Sequence, residues 1–225
     1  MKTKVLNAYD WFLIAGIIAA NLVYSILTRS LDVIGMVTAV SGVLCVVLVA
    51  KGSIMNYLFG LINVSLYAYV SFKATAYGDA ALNALYYLPM QFIGYFAWKR
   101  RVDDTRVRAR RLTSVQRILV AAGCAAAIVA LGFVLQACGD AQPFKDSATT
   151  VLSVVAQILM AMAFMEQWVL WILTNIISVV MWVIFASNGE PHAEMMIIMW
   201  VFYLLNSING LRVWLKLSDG EGASH

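Results

Sequence analysis

Residues Glu166–Trp182 read EQWVLWILTNIISVVMW. Most of the stretch is apolar enough for hydrocarbon. Even so, Trp168, Trp171, Asn175, Ser178 and Trp182 recur at steps of three, four, three and four. At 3.6 residues per turn, that spacing puts all five on one side of a helix. Because hydrocarbon offers hydrogen-bonding groups no partner, such a stripe needs either a neighbouring helix or a wet interior to face.

The rest of the chain shows that the helix sits in a bilayer. Of 225 residues, 62% are hydrophobic and 12% charged, and the mean hydropathy is +0.81. A soluble domain carries about 25% charged residues. Here the charges cluster, leaving uncharged runs long enough to cross roughly 30 Å of hydrocarbon. Eight spans are expected, at 10–28, 31–50, 53–72, 79–98, 116–137, 148–165, 167–186 and 194–215. The first run is too long for a cleaved leader, and a second span follows within five residues, so it is read as a retained anchor. Three cysteines make no complete disulfide set; Cys45, Cys124 and Cys138 are read as apolar packing residues.

With the N-terminus in the cytoplasm, all of the 16 basic residues except Arg29, Lys73 and Lys145 fall on the inner side, which puts both termini in the cytoplasm. Most of the bias comes from KRRVDDTRVRARR (99–111). This is read as a solvated inner loop obeying the orientation rule, with no nucleic-acid partner.

The two halves also look alike. YYLPMQFIGYFAW (86–98) matches FYLLNSINGLRVW (202–214), sharing an aromatic pair, a glycine and a G-x-x-x-W ending. NYLFGLINVSLYAYVSF (56–72) pairs with QWVLWILTNIISVVMWVIF (167–185). An even number of crossings separates the matched spans, so the repeat is parallel. The expected architecture is an all-α integral membrane protein of eight transmembrane helices, with one extra N-terminal helix before a 3+1+3 parallel-repeat core. Residues 1–30 are then the tail and extra helix, and 31–98 the first three-helix repeat. A basic loop at 99–115 and a linker helix at 116–137 follow, then the second repeat at 148–216 and a tail at 217–225. Transporters built this way place substrate at the repeat interface near mid-membrane.

Polar stripes recur on other spans. Asn56, Gly60, Asn63 and Tyr67 share a side, as do Tyr87, Gln91, Gly94 and Trp98; Tyr203, Asn206, Ser207, Asn209 and Gly210 mark the last span, and Thr150, Ser153 and Gln157 the sixth. Singly, such groups serve as helix adhesion, and tryptophans near helix ends serve as headgroup anchors, a reading that suits Trp98, Trp214 and Trp168. Together, five spans of amide, hydroxyl and indole groups exceed what adhesion needs and indicate a wet central cavity. No Asp, Glu, Lys, Arg or His sits in the middle of a span; Glu166 and Asp79 lie at span edges, His192 in an outer loop and His225 at the end. That pattern lacks the buried ionisable group of coupled pumps, a metal site and a catalytic pair. No catalytic residue, metal or cofactor is therefore expected. The lining suits a flat polar ring stacked on aromatics, with cation–π attraction if the ring is cationic.

At NYLFGLINVSLY (56–67), DSATTVLSVVAQILM (146–160), EQWVLWILTNIISVV (166–180) and NGLRVW (209–214), the chain resembles the bacterial PnuC transporters of nicotinamide riboside, over about residues 31–216. The resemblance implies a core related to the SWEET sugar transporters, a homotrimer in the bacterial inner membrane, and facilitated diffusion with trapping by a cytoplasmic kinase. It implies a small-molecule substrate, nicotinamide riboside, held by Trp171, Asn175 and Trp182, with Gln157, Gln91, Asn63, Asn206, Tyr87 and Tyr203 completing the pocket. Tyr67, Asn209 and Trp168 are the remaining candidates. Thiamine or riboflavin transport, and proton coupling, are the alternatives. Tyr57 and Gly60 stand in the first half where the second has Trp168 and Trp171, so the site need not be symmetric.

Overall fold

The computed structural model of the chain describes residues 7–29, 33–73, 80–103, 106–140, 142–188 and 193–219. Asp79, His192, His225, both tail ends and residues 189–192 of the connection before α8 lie outside the described residues. Among the described residues there are eight helices: α1 Ala8–Thr28, α2 Val33–Ala50, α3 Asn56–Lys73, α4 Leu88–Lys99, α5 Ser114–Ala137, α6 Pro143–Ala161, α7 Gln167–Ser187 and α8 Ala193–Asp219. The protein is an all-α, multi-pass membrane protein. Val33–Ala50, Ser114–Ala137, Gln167–Ser187 and Met196–Ser218 are long and apolar enough to cross a membrane by themselves.

Local chemistry sets several of the helix ends. Asn7 and Asp10 cap α1 reciprocally, the Asn7 amide donating to Asp10 Oδ2 at 2.6 Å and the Asp10 amide to Asn7 Oδ1 at 3.0 Å. Thr113 and Gln116 form the same kind of box at α5, satisfying amides that the first helical turn leaves over. Pro143 occupies the first position of α6, where its missing N–H costs nothing. That proline and a turn at Met162–Glu166 shift the sixth span toward the N-terminus from the expected 148–165. Pro89 lies inside a continuous helical run. The π-helical segment Leu82–Tyr87 precedes α4, with the Leu88 amide reaching back to the Asn83 carbonyl, and absorbs the irregularity a proline brings.

The chain forms two compact units, Met1–Arg108 and Ala109–His225. Within each, every helix packs on the next in sequence, as short connections dictate for antiparallel neighbours. Each unit contains a tight turn of the same construction, which recurs in the second unit at Gly139 (φ 84°) between α5 and α6. Gly52 (φ 66°) turns the chain between α2 and α3, and Ala163 (φ 61°) does so between α6 and α7. The following amide closes the turn in both, Ser53 to Leu48 O at 3.0 Å and Phe164 to Leu159 O at 2.9 Å.

Beyond each turn, a large aromatic sits on a glycine. The Tyr57 ring fills the space a Cβ at Gly94 would need, and the Trp168 ring does so at Gly210. Tyr57 meets Trp98 edge-on (centroids 5.1 Å apart), and Trp168 meets Trp214 at 6.2 Å. Trp98 and Trp214 are 0% exposed and Trp168 is 2% exposed. The headgroup-anchor reading of these three tryptophans is therefore overturned: they are buried packing residues, Trp168 seated on Gly210 and Trp98 and Trp214 packed against the rings that the glycines admit.

The 99–111 stretch also departs from a solvated loop. Val102–Asp103 (β1) pairs antiparallel with Arg106–Val107 (β2). The strap that follows alternates, with Val107, Ala109 and Leu112 buried and Arg108 and Arg110 exposed. In the first unit, the Val107 amide donates to Gly52 O at 2.8 Å. In the second, Arg110 donates to Ala163 O at 2.8 Å and accepts from the Met165 amide at 2.9 Å. Lys51, counted among the inner-loop cations, is a buried partner of Asp10 at 2.7 Å.

Candidate substrate-binding site

In the first unit, Asn63 on α3 donates its amide to Thr38 O on α2 at 2.8 Å, tying those helices together. Tyr67, one turn further on, is 44% exposed. Gln91 on α4 lays its side-chain oxygen over Gly60, with Cys45 Sγ on the same spot. Its Nε2 donates to Tyr87 O at 3.3 Å. Gln91 Oε1 is buried without a hydrogen-bond partner among the described residues. Tyr87, at the end of the π-helical segment, stacks edge-on against Tyr86 at 5.0 Å and is half-buried.

In the second unit, the stripe on α7 divides along its length. Trp168 is enclosed by Gly210 and Trp214 of α8. Asn175 donates to Ser207 Oγ at 2.8 Å, and Ser207 Oγ donates in turn to Tyr203 O at 2.8 Å. The structure thus brings Asn175 and Tyr203 together through Ser207. Trp171 and Trp182 remain half-buried, Trp182 edge-on to Phe185 at 5.4 Å. Gln157 on α6 is buried and its Nε2 has no partner among the described residues; neither has Asn209 Nδ2 on α8. Asn206 is buried beside Ser207 in sequence.

Sequence reasoning passed over Trp200 and Thr174, whose buried indole nitrogen and hydroxyl also lack partners. Trp200 packs edge-on to Tyr203 at 5.7 Å. The signal was available: Trp200, Tyr203, Ser207, Gly210 and Trp214 step by three, four, three and four, as the α7 stripe does.

An amide buried in an apolar bundle without a partner costs about 1–3 kcal/mol, and most folds avoid it. Gln91 and Gln157 keep such atoms with no ionised residue within a turn of them along their helices, and Asn209 keeps one a turn before Arg212. Neutral donors and acceptors of this kind can hold an uncharged polar solute, and the half-buried indoles can stack on it.

A family profile described as "Nicotinamide mononucleotide transporter" matches residues 32–216. The chain belongs to that family. Members similar to it include the nicotinamide riboside transporter PnuC of Neisseria mucosa, 43% identical over 188 residues, covering 80% of this chain and 71% of that protein. The PnuC of Haemophilus influenzae is 38% identical over 188 residues, covering 82% of this chain and 80% of that one. That of Escherichia coli K12 is 30% identical over 217 residues, covering 83% and 87%. A crystal structure of the vitamin B3 transporter PnuC superimposes with a TM-score of 0.78 at 37% identity, covering 95% of this chain and 93% of that one. α1 lies before the matched residues, so the family pattern is carried by α2 to α8.

Proposed function

We propose that this family member carries nicotinamide riboside across the bacterial cytoplasmic membrane by facilitated diffusion, with a cytoplasmic kinase trapping it afterwards. The observation that carries this reading is the uncharged character of the stripes, in which buried amides of Gln91, Gln157 and Asn209 await partners. The family description speaks of the mononucleotide and the curated relatives of the riboside; the two differ by a phosphate. A phosphate calls for arginine, lysine or a helix N-terminus, and the described stripes present none of these side chains. The lining therefore favours the riboside.

Trp171 and Trp182 are assigned the pyridinium ring, stacking on a cationic face. Gln91, Gln157, Asn209 and the Asn175–Ser207 pair are assigned the carboxamide and ribose hydroxyls. Tyr67, Tyr87, Tyr203, Asn63 and Asn206 complete the set, and Trp168, seated on Gly210, holds the α7 stripe in place. The 3+1+3 parallel arrangement, with both termini cytoplasmic and three copies per assembly, belongs to the same proposal. The recurrence of an aromatic-on-glycine seat at Tyr57–Gly94 and Trp168–Gly210 supports it.

Uptake by proteoliposomes containing the purified chain and no kinase tests the mechanism. Nicotinamide riboside should equilibrate without exceeding the outside concentration, with or without a pH gradient, while thiamine and riboflavin stay outside. Accumulation driven by the gradient would replace this reading with proton coupling, and entry of thiamine or riboflavin would reassign the substrate.

A further inference from the structure

We propose that the second unit carries a headgroup site for an anionic phospholipid, formed by Arg110, Arg212 and Lys216 at the end where the strap meets α8. Three backbone contacts fix the strap there. Arg110 bonds Ala163 and Met165 through its amide and carbonyl, and the Leu112 amide donates to Glu166 Oε1 at 3.1 Å. The Arg110 guanidinium lies over the Phe164 ring, 4.4 Å from its centroid, and the residue is exposed. Arg111 joins the strap to the last turns of α8, its Nε donating to Ser218 Oγ at 2.9 Å and an Nη to Leu215 O at 3.4 Å. Arg212 and Lys216, exposed and one turn apart, lie on the same helix turns.

Among the described side chains, the balance of charge at this end is positive. Among the described side chains of the second unit, the carboxylates are Asp140, Asp146 and Glu166. Asp140 follows the far end of α5, and Asp146 opens α6 and is paired with Lys145 at 3.2 Å. Glu166 is engaged by Arg117 at 2.9 Å. Arg110, Arg212 and Lys216 are left with no described carboxylate.

An orientation signal depends on how many cations a loop carries and needs no fixed placement. Here backbone hydrogen bonds hold Arg110 in place beside an aromatic ring, and Arg212 and Lys216 stand on the last turns of α8. Guanidinium groups so placed grip a phosphodiester with paired N–H donors, and basic clusters at a helix end bind anionic lipid. The inference is independent of which solute the protein carries.

The test compares nanodiscs of phosphatidylcholine with nanodiscs containing one-third phosphatidylglycerol, following thermal unfolding and, by native mass spectrometry, the lipid retained. The wild type should unfold several degrees higher with phosphatidylglycerol and retain it selectively, and raised salt should shrink the shift. The variant R110Q/R212Q/K216Q, which leaves the Arg111 bonds in place, should lose most of the shift and the selectivity. K99Q/R100Q, in the first unit, should keep both. Should the triple variant fold poorly, K216Q alone should still retain less phosphatidylglycerol than the wild type. Equal retention of both lipids by the wild type, or an undiminished preference in the substituted proteins, would overturn the proposal.

Discussion

The turn at Lys51–Tyr57 in the first unit and the turn at Met162–Trp168 in the second share a backbone and differ in nearly every side chain. Gly52 and Ala163 take the left-handed conformation, and each gives its carbonyl to a strap amide, from Val107 and Arg110 respectively. Each turn is also joined to the capped start of a neighbouring helix by an ion pair, of opposite polarity in the two. Lys51 reaches Asp10 of α1 at 2.7 Å, with side chains 7% and 0% exposed. Glu166 holds Arg117 of α5 at 2.9 Å, with side chains 11% and 48% exposed. The comparison teaches that backbone geometry at the turn is what the fold requires, while the chemistry fastening it is interchangeable. It also gives α1, outside the family profile, a role like that of α5: each is the helix fastened to its unit's turn.

The sharpest way to break the likeness is to remove one cation from each turn. Lys51→Met leaves Asp10 buried and unpaired, a loss of about 3–5 kcal/mol, and tryptophan-fluorescence melts should show a large drop in Tm. Arg117→Gln leaves Glu166 the Leu112 amide and removes a half-exposed partner, so the loss should stay under about 1 kcal/mol. Equal effects would mean that burial does not distinguish the two pairs.

The glycine seats come next. Gly94→Ala and Gly210→Ala each drive a methyl into an aromatic ring, costing about 1–3 kcal/mol by overpacking. Enlarging the smaller first-half ring, Tyr57→Trp, should be worsened by Gly94→Ala beyond the sum of the two, since they share one space. Additive losses would separate ring from glycine.

Legibility followed period and failed at distance. The α7 stripe was readable because 3.6-residue spacing is written in the sequence, and the G-x-x-x-W endings marked Gly94 and Gly210. What the glycine admits was unreadable, because the ring that fills it lies 37 residues upstream of Gly94 and 42 upstream of Gly210. Trp98 and Trp214 thus passed for interface anchors on their position alone. The Asp10–Lys51 pair was hidden for the same reason. The strap was visible as the alternation R-V-R-A-R (106–110), but charge density drew the eye to orientation. Among the site candidates, Gln91 and Gln157 stood out as amides in apolar runs; that Asn175 spends its donor on Ser207, and Asn63 on Thr38, depends on a facing helix that no spacing reveals.

Within the second unit, Trp171→Ala and Asn175→Ala should each weaken nicotinamide riboside binding by about 1–3 kcal/mol, through lost stacking or a lost buried amide. Unchanged calorimetric affinity in both would remove them from the site and leave the fold intact. The smallest effect should be a gain. Ala163→Gly relieves about 1–2 kcal/mol of left-handed strain against about 0.4–1 kcal/mol of added unfolded-chain entropy, so stability should rise slightly, making the second turn match the first; a lower Tm would show that the methyl matters more than the strain.

The most direct test sets nicotinamide riboside against its 5′-phosphate in calorimetric titrations of the purified wild-type protein. A lining of neutral amides and indoles predicts micromolar or tighter binding of the riboside and none of the mononucleotide. Mononucleotide binding as tight as the riboside's would contradict it, since the phosphate would then have found a cation that these stripes do not contain.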